Sequence, residues 1–336
     1  MGTGSYSEVV SVVEAVLAGD KPTRRGAISA PLYDTPRAVS TGPNWAYLRI
    51  AEGCDNRCAY CVIPSLRGKF RSRTKESILE EARLLAASGV KELIIVAQDI
   101  TRYGIDLYGK VCLTELLKEL CKLDFRWVRL HYLYPELIDD ELIDEIASED
   151  KIVKYLDIPI QHINDTILRR MNRRGTGEEI RALFKKLRER IPGLVLRTSL
   201  ITGLPGEGEA EFEELCDFLR EAKIERAGVF PYSPEEGTPA ALMPDRCSTE
   251  EAQRRAELCM EIQAEIMDGF AETFIGRELD VLVMGREPDG TPWGRSEYDS
   301  PDIDSRVIFS GDAAPGDMVR VRIDSVDDGE LIGEQI

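Results

Sequence analysis

Beginning at Trp45, short apolar runs of strand length alternate with stretches of helical period, and no other feature narrows the fold of this 336-residue chain as much. Strand-like segments fall at 45–51, 92–97, 126–131, 154–159, 194–201 and 226–231. Between them, amphipathic helices are predicted near 74–88, 113–122, 139–148, 164–172, 176–190 and 208–223. Strands joined through helices pair in parallel with right-handed crossovers, so the class is α/β with one parallel sheet. Six such units are too few for the eight-stranded barrel. They curl instead into an open crescent whose C-terminal strand ends share one rim.

The flanks read differently. Ser7 to Ala18 has helical period, with Val9, Val10, Val13, Val16 and Leu17 on one side, until Gly19-Asp20-Lys21-Pro22 stops it. A linker then runs to Pro43. One helix cannot form a domain, so residues 1–40 are expected to be the remnant of a larger N-terminal unit with its linker. Thr249 to about Thr273 is a long helix; beyond it, strand-like runs at 280–284, 306–309 and 318–323 are separated by Gly, Pro and Asp clusters. They predict a small all-β, OB-like barrel over 275–336, after an α/β unit over 41–274.

Three cysteines, Cys54, Cys58 and Cys61, stand as C-x3-C-x2-C just past the first strand, on a loop where reactive groups are presented without leaving a sheet unpaired. A closed zinc site needs four ligands, and no fourth Cys or His stands nearby. A cubane cluster on three thiolates keeps one iron open to a ligand that is not protein. A zinc knot and a chance cluster of buried thiols remain the alternatives. Cys112, Cys121, Cys216, Cys247 and Cys259 are scattered and read as small hydrophobes in a reducing compartment.

The formal net charge is -18, and residues 270–336 hold 16 acidic against 6 basic side chains. An acidic surface repels phosphate backbones and attracts basic proteins, although it also serves solubility alone. No run of about 18 apolar residues and no signal peptide is present, so a cytoplasmic location is expected, with no membrane partner. The basic stretch Arg67–Arg73 reads as a polyanion patch or, preferentially, as partners for internal carboxylates. His131 and His162 read as satisfied structural histidines.

With its spacing and with Tyr60 immediately before the last cysteine, the loop resembles the signature of the radical S-adenosylmethionine (SAM) enzymes. The resemblance implies a partial (β/α)6 barrel, a 4Fe-4S cluster on Cys54, Cys58 and Cys61, and SAM on its open iron. It carries the SAM contacts to Gln98 and Asp99 for the amino group, where the usual Gly-Gly-Glu is absent, and to Gln161 for the ribose. Arg197, which can fork onto a carboxylate, Gly203, which permits close backbone approach, and Tyr60 on the cysteine loop itself complete the cofactor-binding set.

Arg49–Cys54, Ile63–Arg73, Leu130–Pro135 and Pro159–His162 look like the methylthiotransferases within that superfamily, whose TRAM domain has the position of the small barrel. With Gly294–Asp304 they match the branch acting on ribosomal protein uS12 better than the tRNA-modifying branch. The implied activity adds a methylthio group to the β-carbon of a uS12 aspartate. The family begins with a domain holding a second 4Fe-4S cluster, and no second cysteine trio occurs here. The chain therefore reads as N-terminally truncated and is expected to cleave SAM without completing sulfur transfer. Expected partners are uS12, steered onto the acidic barrel by side chains including Asp299, Asp302 and Asp304, and an electron donor of the flavodoxin or ferredoxin class. Nucleic acid is disfavoured, and a monomer is expected. The alternatives are a tRNA methylthiotransferase acting on isopentenyl-modified adenosine and a non-catalytic iron–sulfur module.

Overall fold

The computed structural model describes residues 1–29 and 37–336. Part of the linker expected before Pro43, residues 30–36, lies outside them. Six parallel strands form one sheet in sequential order: β1 (Trp45–Arg49), β2 (Glu92–Val96), β3 (Trp127–Leu130), β4 (Ile152–Asp157), β5 (Val195–Thr202) and β6 (Arg226–Pro231). Their sequential order is what repeated strand–helix units dictate.

The helices begin where side chains satisfy their first amides. Thr74, Asp139, Asn164 and Ser248 each accept from a backbone N–H two or three residues on, and Thr176 with Glu179 makes a reciprocal capping box. One face of the sheet, with Leu48, Leu93, Ile95, Val128, Leu130, Leu156 and Leu196, packs on Ile78, Leu117, Ile143, Phe184 and Leu219 of the helices that follow the strands. The N-terminal helix Val9–Leu17 forms as its period predicts but buries none of its residues.

After the long helix Thr249–Glu272, five strands close into a barrel: β7 (Glu278–Arg286), β8 (Pro292–Ser296), β9 (Val307–Ser310), β10 (Met318–Asp327) and β11 (Glu330–Gln335). Val281, Val283, Val307, Phe309, Val321, Ile323 and Leu331 fill it, the inward half of each alternating strand. Two of these strands, β8 and β11, were not among the sequence expectations.

The barrel sits against the N-terminal strand ends of the sheet. Leu282 packs with Trp127, Val153, Tyr155 and Val195. Around that contact runs a buried polar lattice. Glu92 takes Arg129 on one oxygen at 2.6 Å and Arg295 on the other at 2.5 Å, all three buried. Burial alone raises the Glu92 carboxyl, but Arg295 and Arg129 outweigh it and hold it below the usual range. Arg226 donates to Asp299 at 2.8 Å, Tyr155 donates to Asp304 at 2.6 Å, and Ser300 bonds His131 Nε2 at 3.0 Å.

This lattice corrects the docking expectation. Asp299 is 1% exposed and the Asp304 side chain 5%, so neither faces a partner; only Asp302 of the three is exposed. Read locally, Asp-Ser-Pro-Asp is an exposed turn. Asp299 and Asp304 are nevertheless buried, because Arg226 and Tyr155 arrive from far away in the chain to meet them.

Candidate active site

The cysteine loop lies at the rim opposite the barrel, just past the C-terminal end of β1, where α/β folds place reactive groups. Gly53 turns the chain with φ +81°, and an added Cβ there would strike the Lys69 carbonyl. Neighbouring elements then pin the loop. Gly53 N–H donates to Gln98 Oε1 (2.7 Å), Asn56 Nδ2 to Asp99 Oδ2 (3.0 Å) and Ala59 N–H to the Met171 carbonyl (2.8 Å).

All three thiols are free, with Cys58 buried and Cys54 and Cys61 half-buried. Burial pushes the Cys54 thiol up to about 11 and raises that of Cys61. Metal ligation reverses that cost by taking the thiolate directly. Asn56 N–H approaches Cys54 Sγ at 3.5 Å, and Tyr134 Oη lies 3.0 Å from Cys58 Sγ. Among the described residues no three ligating side chains crowd around a single-ion point, whereas the thiolates of a cubane each take a different iron.

A buried cation completes the setting. Arg173 is 7% exposed, donates to the Pro159 carbonyl at 2.6 Å and stacks on the Tyr134 ring at 4.2 Å. Among the described residues it has no carboxylate at ion-pair distance; Glu136 is within electrostatic range only. A buried charge calls for an opposite charge nearby, and a thiolate-bound cluster supplies one. The donor set therefore fits a negatively charged iron–sulfur group.

The other sequence-predicted residues divide. Gln98 and Asp99 are committed to their own chain: the first holds Gly53, and the second takes Asn56 and Thr101 and is fully buried. Packing alone already requires a glycine at 203. Its φ is +74°, an added Cβ would strike Ala252 Cβ, and its N–H donates to Glu207. Tyr60 packs at the edge of a cluster with Ala59, Met171, Leu204 and Tyr232.

Gln161 and Arg197 are partly exposed and less committed. Gln161 holds φ +71°, strained for a non-glycine residue, and its side-chain amide has no hydrogen bond among the described residues. Arg197 shares one nitrogen with Asp157 at 2.7 Å and stays partly exposed.

Of two lesser readings, one holds and one holds in part. Arg67 pairs with Glu52 and Arg73 with Glu81, so the basic stretch serves internal carboxylates. His131 is buried and bonded to Ser300, whereas His162 is buried and accepts from Asn164 N–H on Nδ1 while its Nε2, 3.4 Å from Glu207, makes no hydrogen bond among the described residues. Tyr134, Arg173 and Asn56 were not singled out beforehand. Only Tyr134 carried a signal, as part of the Leu130–Pro135 motif.

Comparison with known proteins gives the family. The Radical SAM superfamily matches residues 48–219 and the TRAM domain residues 275–336. The "Ribosomal protein uS12 methylthiotransferase RimO" of Caldanaerobacter subterraneus is 48% identical over 99% of this chain and 77% of its own length. The protein of that name from Pelotomaculum thermopropionicum is 50% identical over 100% of this chain and 77% of its own. The chain belongs to the uS12 methylthiotransferase RimO family.

Membership of the RimO family implies a 4Fe-4S cluster and SAM, as the donor set independently suggests. Solved structures agree on fold alone. Coproporphyrinogen III oxidase (HemN) from Escherichia coli, described as a radical SAM enzyme, matches with TM-score 0.52 at 20% identity, covering 68% of this chain and 54% of that one. The radical SAM methyltransferase TsrM from Kitasatospora setae, with tryptophan and a SAM analogue bound, matches with TM-score 0.53 at 18% identity, covering 72% and 52%. For this RimO-family chain, no helix among the described residues is long and apolar enough to cross a membrane.

Proposed function

We propose that this chain is the radical SAM catalyst of methylthio transfer to the β-carbon of an aspartate in ribosomal protein uS12. The observation that carries the reading is near-full-length identity of 48–50% to relatives bearing that name. A 4Fe-4S cluster held there by Cys54, Cys58 and Cys61 would supply the single electron for reductive cleavage of SAM, and thereby the means of taking hydrogen from an unactivated carbon.

The chain's own residues do the rest. Cys54, Cys58 and Cys61 would hold the cluster, on a loop fixed by Gln98 and by the Asn56–Asp99 bond. Gln161 and Arg197 orient SAM, the arginine taking its carboxylate with the nitrogens Asp157 leaves free. The segment Ser296–Asp304 closes the opposite end of the sheet and keeps water from entering there. Tyr132 and Phe230, 47% and 54% exposed at the C-terminal ends of β3 and β6, offer apolar area to an incoming protein loop.

The barrel remains acidic outside the buried lattice, with Asp317, Asp327 and Asp328 exposed, which suits a basic protein better than a phosphate backbone. A second cluster and a flavodoxin- or ferredoxin-class donor belong to the same proposal, as does a division at residues 41–274 and 275–336. Anaerobic reconstitution with iron and sulfide, then dithionite and SAM, tests the core of it. 5′-Deoxyadenosine should form, and should not form with C54A/C58A/C61A; equal production by that variant would overturn the assignment.

A further inference from the structure

Radical chemistry of this kind depends on how readily the cluster accepts its electron, and two residues without any other assignment bear on that. Tyr134 follows β3 and Arg173 follows the helix Asp165–Arg170, so two separate rim segments bring them to Cys58. The Tyr134 hydroxyl lies 3.0 Å from Cys58 Sγ. With Cys58 as a thiolate ligand the sulfur carries no proton, so the phenol is the donor. Arg173 covers the Tyr134 ring at 4.2 Å, is permanently charged, and has no carboxylate at ion-pair distance among the described residues.

We propose that Tyr134 and Arg173 set the reduction potential of the cluster on Cys54, Cys58 and Cys61, Tyr134 as hydrogen-bond donor to the Cys58 thiolate and Arg173 as its buried counter-charge. The inference rests on the functional reading above. One-electron reduction by an external donor adds negative charge to the cluster and its thiolates without making or breaking a bond. Hydrogen bonds to the sulfurs and net charge are the levers that set such potentials. Both residues stabilise the reduced state more than the oxidised one, because each acts more strongly on the more negative group. Removing either makes reduction harder.

The experiment is an EPR-monitored redox titration of the reconstituted protein, without SAM, alongside iron and sulfide analysis. Tyr134→Phe keeps the ring that packs under Arg173 and removes only the hydroxyl. It should load iron as wild type does and lower the equilibrium constant for reduction about tenfold, 59 mV for one electron. Arg173→Met should act in the same direction, and Arg173→Lys should restore most of the wild-type value. A fully loaded Tyr134→Phe protein with an unchanged or higher potential overturns the inference, whether or not Arg173→Met loads iron. Failure of the wild-type chain to take up any cluster would instead sink the functional reading beneath it.

Discussion

Replacing Asp299 by alanine should unfold this protein from an unexpected place, the contact between its sheet and its barrel. The Asp299 carboxylate accepts from Arg226 at 2.8 Å and from Ser296 Oγ at 2.6 Å, and both side chains of the ion pair are almost wholly buried. Burial raises the Asp299 carboxyl, and Arg226 only partly offsets that, so the intact pair adds little net stability. Breaking it is another matter. The truncation leaves the Arg226 guanidinium buried, a change that costs about 3–5 kcal/mol when one partner of such a pair is removed. Asp304, 3.7 Å from Arg226 Nε, still shares part of that charge and moves the expectation to the lower end, about 3 kcal/mol. Urea unfolding of the apoprotein followed by tryptophan fluorescence reads this loss, with Trp127 and Trp45 at the contact as reporters. Asp302→Asn, on an exposed side chain in the same loop, should change stability by no more than about 0.5 kcal/mol. An Asp299→Ala protein as stable as Asp302→Asn would refute the claim that this loop is an internal tie.

Three further outcomes follow from the same geometry. Gly203→Ala should destabilise the fold by about 1–3 kcal/mol in thermal melts, since the new methyl meets Ala252 at a φ of +74°. His131 is held down to about 3 by burial first and by Arg129 next, well below its ordinary 6.5. The unfolded chain therefore takes up the proton first, so the His131 contribution is complete above about pH 6.5 and is lost as pH falls towards 3, by up to about 1.4 kcal/mol per pH unit. His131→Gln in the apoprotein should flatten that part of the stability–pH curve. Gln161→Ala should weaken SAM binding in calorimetry while leaving iron content intact, because its amide has no structural partner among the described residues.

How much of this was legible beforehand depended on where each residue's partners lie. The six parallel strands were readable because alternation with helical period is local, and their bounds differ from expectation by only a residue or two. Strands β8 and β11 were hidden by their content: Pro292-Trp293-Gly294-Arg295-Ser296 carries two breakers, and four of the six residues of Glu330–Gln335 are polar or glycine, so only barrel closure makes strands of them. The cysteine trio was legible from spacing alone. Its setting was not, since Arg173 gains meaning only when the Met171 carbonyl binds Ala59 N–H and draws that segment to the loop. Gly203 is ambiguous for a related reason: a glycine that permits close approach looks the same in sequence whether a cofactor or Ala252 comes close.

The most direct test of the functional account follows the hydrogen atom rather than the sulfur. uS12 carrying aspartate deuterated at its β-carbon is incubated anaerobically with the reconstituted, reduced protein and unlabelled SAM, and the 5′-deoxyadenosine is analysed by mass spectrometry. Deuterium in the 5′-deoxyadenosine is the expected result, and it does not require that sulfur transfer be completed. Unlabelled 5′-deoxyadenosine with this uS12, together with label transfer from a deuterated isopentenyl-adenosine tRNA, would contradict the assignment of substrate.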